Sequence, residues 1–173
     1  MRRVTVSVLM PAFNASRFIR QSVASVLGQT FEDFELLVID DGSTGDTVAI
    51  LEQMRDPRLR VLPNPGNLGI VASLNRGIGN VRGRYVARLD SDDICRPTRF
   101  ARQVEFLERN PGVLLVGARM NDLEHGYVRP PKTPAEPDPQ VLRWLFHLGN
   151  PVGASRSRLR LAMRGPPPPQ CSS

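Results

Sequence analysis

The sequence predicts an α/β sandwich built on a mainly parallel central sheet. Strand-like and helix-like stretches alternate five times between residues 4 and 116, the pattern of successive βα units. Polar clusters at 11–14, 40–43, 67–69 and 90–93 fall just past a strand-like run or at a helix start. Parallel sheets bind ligands at that place, beyond the carboxyl ends of their strands. The 173 residues, 40% hydrophobic and 23% charged, suit one domain with a sizeable core.

Val4, Val6 and Val8 alternate with Thr5 and Ser7 before Leu9 and Met10, which reads as a strand stopped by Pro11-Ala12-Phe13-Asn14. Asn14 or Ser16 is placed to cap a helix whose inner face carries Ile19, Val23, Val26 and Leu27, with Gly28 as its stop. Phe34 to Ile39 is apolar apart from Glu35, as expected of a strand covered on both faces. A helix follows from about Asp46 with Ile50, Leu51 and Met54 inward, then a strand from Arg58 to Leu62. Val71, Leu74 and Ile78 space a third helix, and Arg84 to Leu89 forms the next strand. Pro97 opens a helix with Phe100, Val104 and Leu107 on one face, and Val113 to Val116 is a further strand. Pro137 to Leu148 has the pattern of a short helix, and from about Ala154 no period of either kind is found.

Asp90, Asp92 and Asp93 bring three carboxylates into four residues at the end of a strand. Like charges that close repel unless a cation sits among them. Carboxylate oxygens suit Mg²⁺ or Mn²⁺, and Mg²⁺ sites combine one or two carboxylates with substrate phosphates. Alone, the same residues would also make an ordinary solvated turn. The converging polar loops favour the metal reading.

Charge excludes other classes. Residues 1–126 hold 16 Arg and no Lys against 15 Asp and Glu, whereas residues 127–173 hold seven basic residues against two acidic ones. The net charge of +6 therefore belongs to the tail, which lacks the interleaved aromatics of a single-strand nucleic-acid groove, and no nucleic-acid partner is expected. Cys95 and Cys171 form neither a metal-ligand spacing nor a disulfide framework. No run approaches the ~18 apolar residues of a membrane span. The expected setting is cytoplasmic, with room for peripheral work at the inner face of the membrane.

Seven segments together carry a family resemblance. They are Val8–Asn14 (VLMPAFN), Ser25–Thr30 (SVLGQT), Phe34–Thr44 (FELLVIDDGST), Asn67–Gly69 (NLG), Leu74–Ile78 (LNRGI), Gly83–Asp93 (GRYVARLDSDD), and Pro97–Phe100 with Gln103. In this order and spacing the chain resembles a family 2-type glycosyltransferase with the GT-A fold, a Rossmann-like α/β/α sandwich. The resemblance implies a nucleotide-diphospho-sugar donor, UDP-linked by preference, with Mn²⁺ or Mg²⁺, and inverting, metal-dependent transfer to a glycan or lipid-linked acceptor. By resemblance, Asp90-Ser91-Asp92 is the DXD motif, with Asp92 the metal ligand and Asp90 or Ser91 near the ribose. Pro11, Ala12, Phe13 and Asn14 match the loop along the nucleotide. Asp41 matches the carboxylate that accepts from the base, and Asn67 and Gly69 match the third loop near it. Polysaccharide or cell-envelope assembly is the family's common setting.

The resemblance runs from about residue 4 to residue 118. Inverting transfer needs a general base for the acceptor hydroxyl, and none of Glu105, Glu108, Asp122, Glu124, Glu136 or Asp138 stands in a family-like context for it. Ten of the 16 prolines lie beyond Tyr127. The expectation is a nucleotide-sugar-binding GT-A domain over 1–126. Residues 127–173 are expected to form an incomplete acceptor-side segment with a disordered Pro/Arg-rich tail, a chain shortened at its C-terminus relative to the family. The alternative is a catalytically inactive nucleotide-binding fragment or interaction module.

Overall fold

The structure, a computed structural model, describes residues 4–113 and 115–117 with the strands at 122–124, 127–129 and 162–164. Strand β1 (Val6–Ala12), helix α1 (Ile19–Leu27), β2 (Phe34–Asp40), α2 (Thr47–Gln53), β3 (Leu59–Pro63), α3 (Ile70–Ile78), β4 (Tyr85–Arg88) and α4 (Arg99–Arg109) alternate as expected. They are followed by β5 (Leu115–Val116), β6 (Asp122–Glu124), β7 (Tyr127–Arg129) and β8 (Ala162–Arg164). The main sheet runs β3-β2-β1-β4-β8-β5, with β3, β2, β1 and β4 parallel and β8 antiparallel to both β4 and β5. The chain divides into two compact units, Met1–Val116 with Ala162–Ser173, and Gly117–Leu161; the second holds the antiparallel hairpin β6–β7.

Alternation along the central strands sends side chains to two cores. Val6, Val8 and Met10 of β1 and Phe34, Leu36 and Val38 of β2 face one, with Ile19, Val23 and Val26 of α1 and Phe100 and Leu107 of α4. Phe34 and Phe100 meet edge to face, ring centres 5.6 Å apart. Leu9, Leu37, Ile39 and Val86 face the other, against Leu62, Leu74 and Val81. Every residue of β2 is buried, as its nearly unbroken apolar run requires.

Glu35 is the polar exception in β2. Its carboxylate accepts from Ser7 Oγ at 2.7 Å, Arg60 Nη1 at 2.8 Å and the Arg82 N–H at 2.8 Å. Burial pushes its pKa up, but those three donors outweigh burial and hold it below the usual glutamate value. Ser7 Oγ also accepts from the N–H of Gly83, where a Cβ would lie 2.4 Å from Ser7 N. Only glycine lets the chain enter β4 this close to β1.

Four sequence expectations give way. Pro11 does not stop β1, which runs to Ala12 opposite Asp40. Leu9 bonds toward the β4 side through Leu89 N–H. Pro11, two residues on, faces that side past the end of β4, so its missing N–H breaks no ladder. Asn14 and Ser16 do not cap α1, whose N-cap position is Phe18 with no side-chain bond. Val71 and Ile78 are 70% and 40% exposed, and α3 instead buries Ser73 and Gly77. The reason is close approach: a Cβ on Gly77 would sit 2.9 Å from Ile39 Cδ1 and 3.2 Å from Leu9 Cδ2. Finally, the stretch read as aperiodic beyond Ala154 contributes β8, where Ala162, Met163 and Arg164 pair with Ala87, Val86 and Tyr85. Three residues are too few to show a period. The short helix expected over 137–148 lies outside the described residues.

Candidate functional site

The strand order places β1 between β2 and β4, so the chain winds one way from β1 to β3 and the other way to β4. A reversal of that kind opens a crevice at the carboxyl ends of the diverging strands. The register puts Ala12 beside Asp40 and Leu9 beside Arg88. The loops after β1, β2 and β4 therefore leave the same sheet edge as neighbours.

Direct bonds tie these loops together. Asn14, in the left-handed region at φ 48°, donates its N–H to Ser43 Oγ at 2.9 Å and accepts the Thr44 N–H on Oδ1 at 3.0 Å. Pro11 and Ala12 lie buried in β1, and Phe13 just beyond is 46% exposed. Gly42, at φ 74°, approaches the next loop so closely that a Cβ would stand 2.5 Å from the Gly66 carbonyl carbon. Asp40 accepts the Ser43 N–H on Oδ2 at 3.3 Å; it does not cap α2, whose N-cap position is Asp46.

Asp41 is buried and heavily bonded. Oδ1 accepts from Asn64 Nδ2 at 2.7 Å and the Leu68 N–H at 2.9 Å, and Oδ2 accepts the Gly69 N–H at 2.8 Å. Burial alone would raise its pKa. Donation from Asn64, the Leu68 N–H, Ser73 and the Gly69 N–H overcomes that and holds the group below the usual aspartate value. Asn67 is exposed and accepts the same Gly69 N–H on Oδ1 at 3.1 Å. Asp41, Asn67 and Gly69 thus belong to one bonded loop.

At the end of β4, single ligand atoms of Asp90, Asp92 and Asp93 lie within 4.8 Å of one another. Asp92 is exposed and the other two are half-buried. Arg88 Nε donates to Asp90 Oδ1 at 3.0 Å, and Nη2 lies in ion-pair range of the same oxygen at 3.0 Å, so Arg88 is a charge partner of the turn. The turn is held through its backbone: Asp93 N–H donates to Asp90 O at 3.1 Å, and Ser22 Oγ of α1 donates to Ser91 O at 2.7 Å. Three converging carboxylates are a hard-oxygen donor set, the kind that suits Mg²⁺ or Mn²⁺.

The Ser25–Thr30 segment supports the chain just past this turn. Ser25 Oγ accepts the Cys95 N–H at 3.1 Å. Gln29 donates to Arg96 O at 2.7 Å and accepts the Phe100 N–H in the first turn of α4 at 3.1 Å. Cys95 is a buried free thiol in the same contact. These supports, with Asn64 and Arg76, were not singled out as site residues in sequence. The signal that finds Asn64 is strand register: β2 ends at Asp40 opposite Pro63, so the next residues, Asp41 and Asn64, emerge side by side.

The profile of the family described as Glycosyl transferase family 2 matches residues 7–160, and the chain belongs to that family. Its sheet of four parallel strands between helices is the GT-A arrangement. The chain is 41% identical over 115 residues to an uncharacterized glycosyltransferase of Haemophilus influenzae, covering 65% of this chain and 36% of that protein. It is 35% identical over 103 residues to the Escherichia coli UDP-Glc:alpha-D-GlcNAc-diphosphoundecaprenol beta-1,3-glucosyltransferase WfaP, covering 60% and 41%. Among solved structures, S. aureus TarS 1–349 in complex with UDP-GlcNAc aligns with a TM-score of 0.67 and 26% identity, over 76% of this chain and 40% of that one. The chain thus spans less than half the length of each. Among the described residues, no helix is long and apolar enough to cross a membrane.

Proposed function

We propose that the site binds a UDP-sugar with Mn²⁺ or Mg²⁺ and serves inverting transfer of the sugar to a glycan or lipid-linked acceptor at the cytoplasmic face of a membrane. The observation that carries this reading is the pairing of two unlike ends on one sheet edge. A bonded carboxylate, Asp41, stands past β2, and three converging carboxylates stand past β4. Asp92, with Asp90 and Asp93 beside it, would hold the cation, and Asp90 or Ser91 would adjoin the ribose. The cation would supply charge neutralisation to a diphosphate leaving group. Pro11, Ala12, Phe13 and Asn14 would flank the nucleotide, with the exposed Phe13 ring available to pack on it. Asp41, Asn67 and Gly69 would form the base end. The names of WfaP and of the TarS complex, both with uridine nucleotides, support the choice of donor, and the lipid-linked acceptor in the former name supports that class of acceptor.

The test is calorimetric titration of the chain with UDP, with and without Mn²⁺, beside Asp92→Ala. Metal-dependent binding that the substitution abolishes is the expected result. A folded protein that ignores UDP in both conditions would defeat the proposal.

A further inference from the structure

We infer that Asn64 is a positioning residue for base recognition, fixing the Asp41 carboxylate in the one orientation that can receive a ring N–H. This rests on the reading above, in which Asp41 faces the nucleotide base. Asn64 is 7% exposed and every polar atom of its side chain is engaged. Nδ2 donates to Asp41 Oδ1 at 2.7 Å and to Ser73 Oγ at 2.8 Å, while Oδ1 accepts from Arg76 Nη1, which also donates to Pro63 O at 2.6 Å. The guanidinium of Arg76 only donates and the ionised Asp41 only accepts, so the amide has a single satisfying orientation. Turned over, it would point its NH₂ at Arg76 and its oxygen at a carboxylate.

That polarity passes to Asp41. A carboxylate torsion is broad and roughly two-fold, so the side chain has little preference of its own for the plane in which its two equivalent oxygens lie. Asn64 claims Oδ1, to which the Leu68 N–H also donates. Oδ2 accepts the Gly69 N–H, and Ser73 donates to the same carboxylate. A uracil ring offers one imide N–H. The relay Arg76–Asn64–Asp41 thus fixes the plane of the carboxylate that would meet that N–H, acting through Asp41 and touching no substrate itself.

The experiment compares the unaltered chain with Asn64→Ala and Arg76→Met, each titrated calorimetrically with UDP, 3-methyluridine diphosphate and inorganic diphosphate in Mn²⁺. The unaltered chain should prefer UDP over its methylated form. In Asn64→Ala that preference should shrink about tenfold while inorganic diphosphate binds within about twofold of the original, since outer-shell partners commonly control affinity by such factors. Arg76→Met, which leaves Asn64 in place but frees its amide to turn, should shrink the preference less and in the same direction. If Asn64→Ala does not fold, Arg76→Met decides, and an unchanged preference there overturns the inference. Equal weakening toward all three ligands, or no change in either variant, also overturns it. An unaltered chain that binds UDP and 3-methyluridine diphosphate alike defeats this inference and the Asp41 base contact but leaves the donor reading standing; one that binds no nucleotide defeats the donor reading as well.

Discussion

The two acidic ends of the site are built by opposite means. Asp41 is a buried carboxylate held by side-chain and backbone donors from the β3–α3 loop, and the loop takes its shape from those bonds. The Asp90–Asp93 turn is held by its peptide groups, through Ser22 to the Ser91 carbonyl and through Asp93 N–H to Asp90 O, while the Asp92 carboxylate stands in solvent. The first end spends its carboxylate on folding. The second pairs Asp90 with Arg88 and leaves the Asp92 carboxylate exposed. Electrostatics gives the reason: a buried ionised group must be satisfied internally, whereas carboxylates clustered at the surface tolerate each other only with screening or a cation such as Arg88 or a bound metal.

The largest effect should come from Asp92→Asn. We expect UDP affinity in Mn²⁺ to fall on the order of 100-fold, equivalent to about 3 kcal/mol, with an unchanged urea midpoint. A large loss of stability instead would erase the contrast. Asp41→Asn should do the reverse and cost about 1–3 kcal/mol of stability by urea unfolding, because an NH₂ would then face donors. Acid unfolding sharpens this. The Asp41 carboxyl is held below its ordinary value in the folded chain, so its stabilisation is complete above the unfolded value of about 3.9 and is lost as pH falls below it. The slope of stability against pH in that acid range should be shallower in Asp41→Asn than in the unaltered chain. The smallest effect is expected from Ser22→Ala, about 1 kcal/mol for one hydrogen bond, seen as a modest drop in Mn²⁺-dependent affinity. An effect equal to that of Asp92→Asn would mean that the turn needs α1 as much as it needs its acids.

The same contrast explains what could be read in the sequence. The βα alternation was legible because β2 and α1 carry their periods in contiguous residues, and the acid turn because its three carboxylates are neighbours in the chain. Asn64 was not legible, since its partner Asp41 is brought to it by strand register and Arg76 by a turn of α3. Pro11 misled because the consequence of a missing N–H depends on whether a strand lies on that side. The inner face of α3 misled because Gly77 and Ser73 are buried for their small size, a property that hydrophobic spacing does not register.

Gly42 and Gly66 touch, yet the contact binds them unequally. A side chain at Gly42 meets the Gly66 backbone at 2.5 Å and needs a left-handed φ of 74°, whereas a Cβ at Gly66 points into open space. The partners in one contact therefore have different futures under mutational drift. Position 66 can wander through small residues one substitution at a time, while position 42 has no viable first step. A variant library built on this chain would recover diversity on one side of the contact and a single letter on the other.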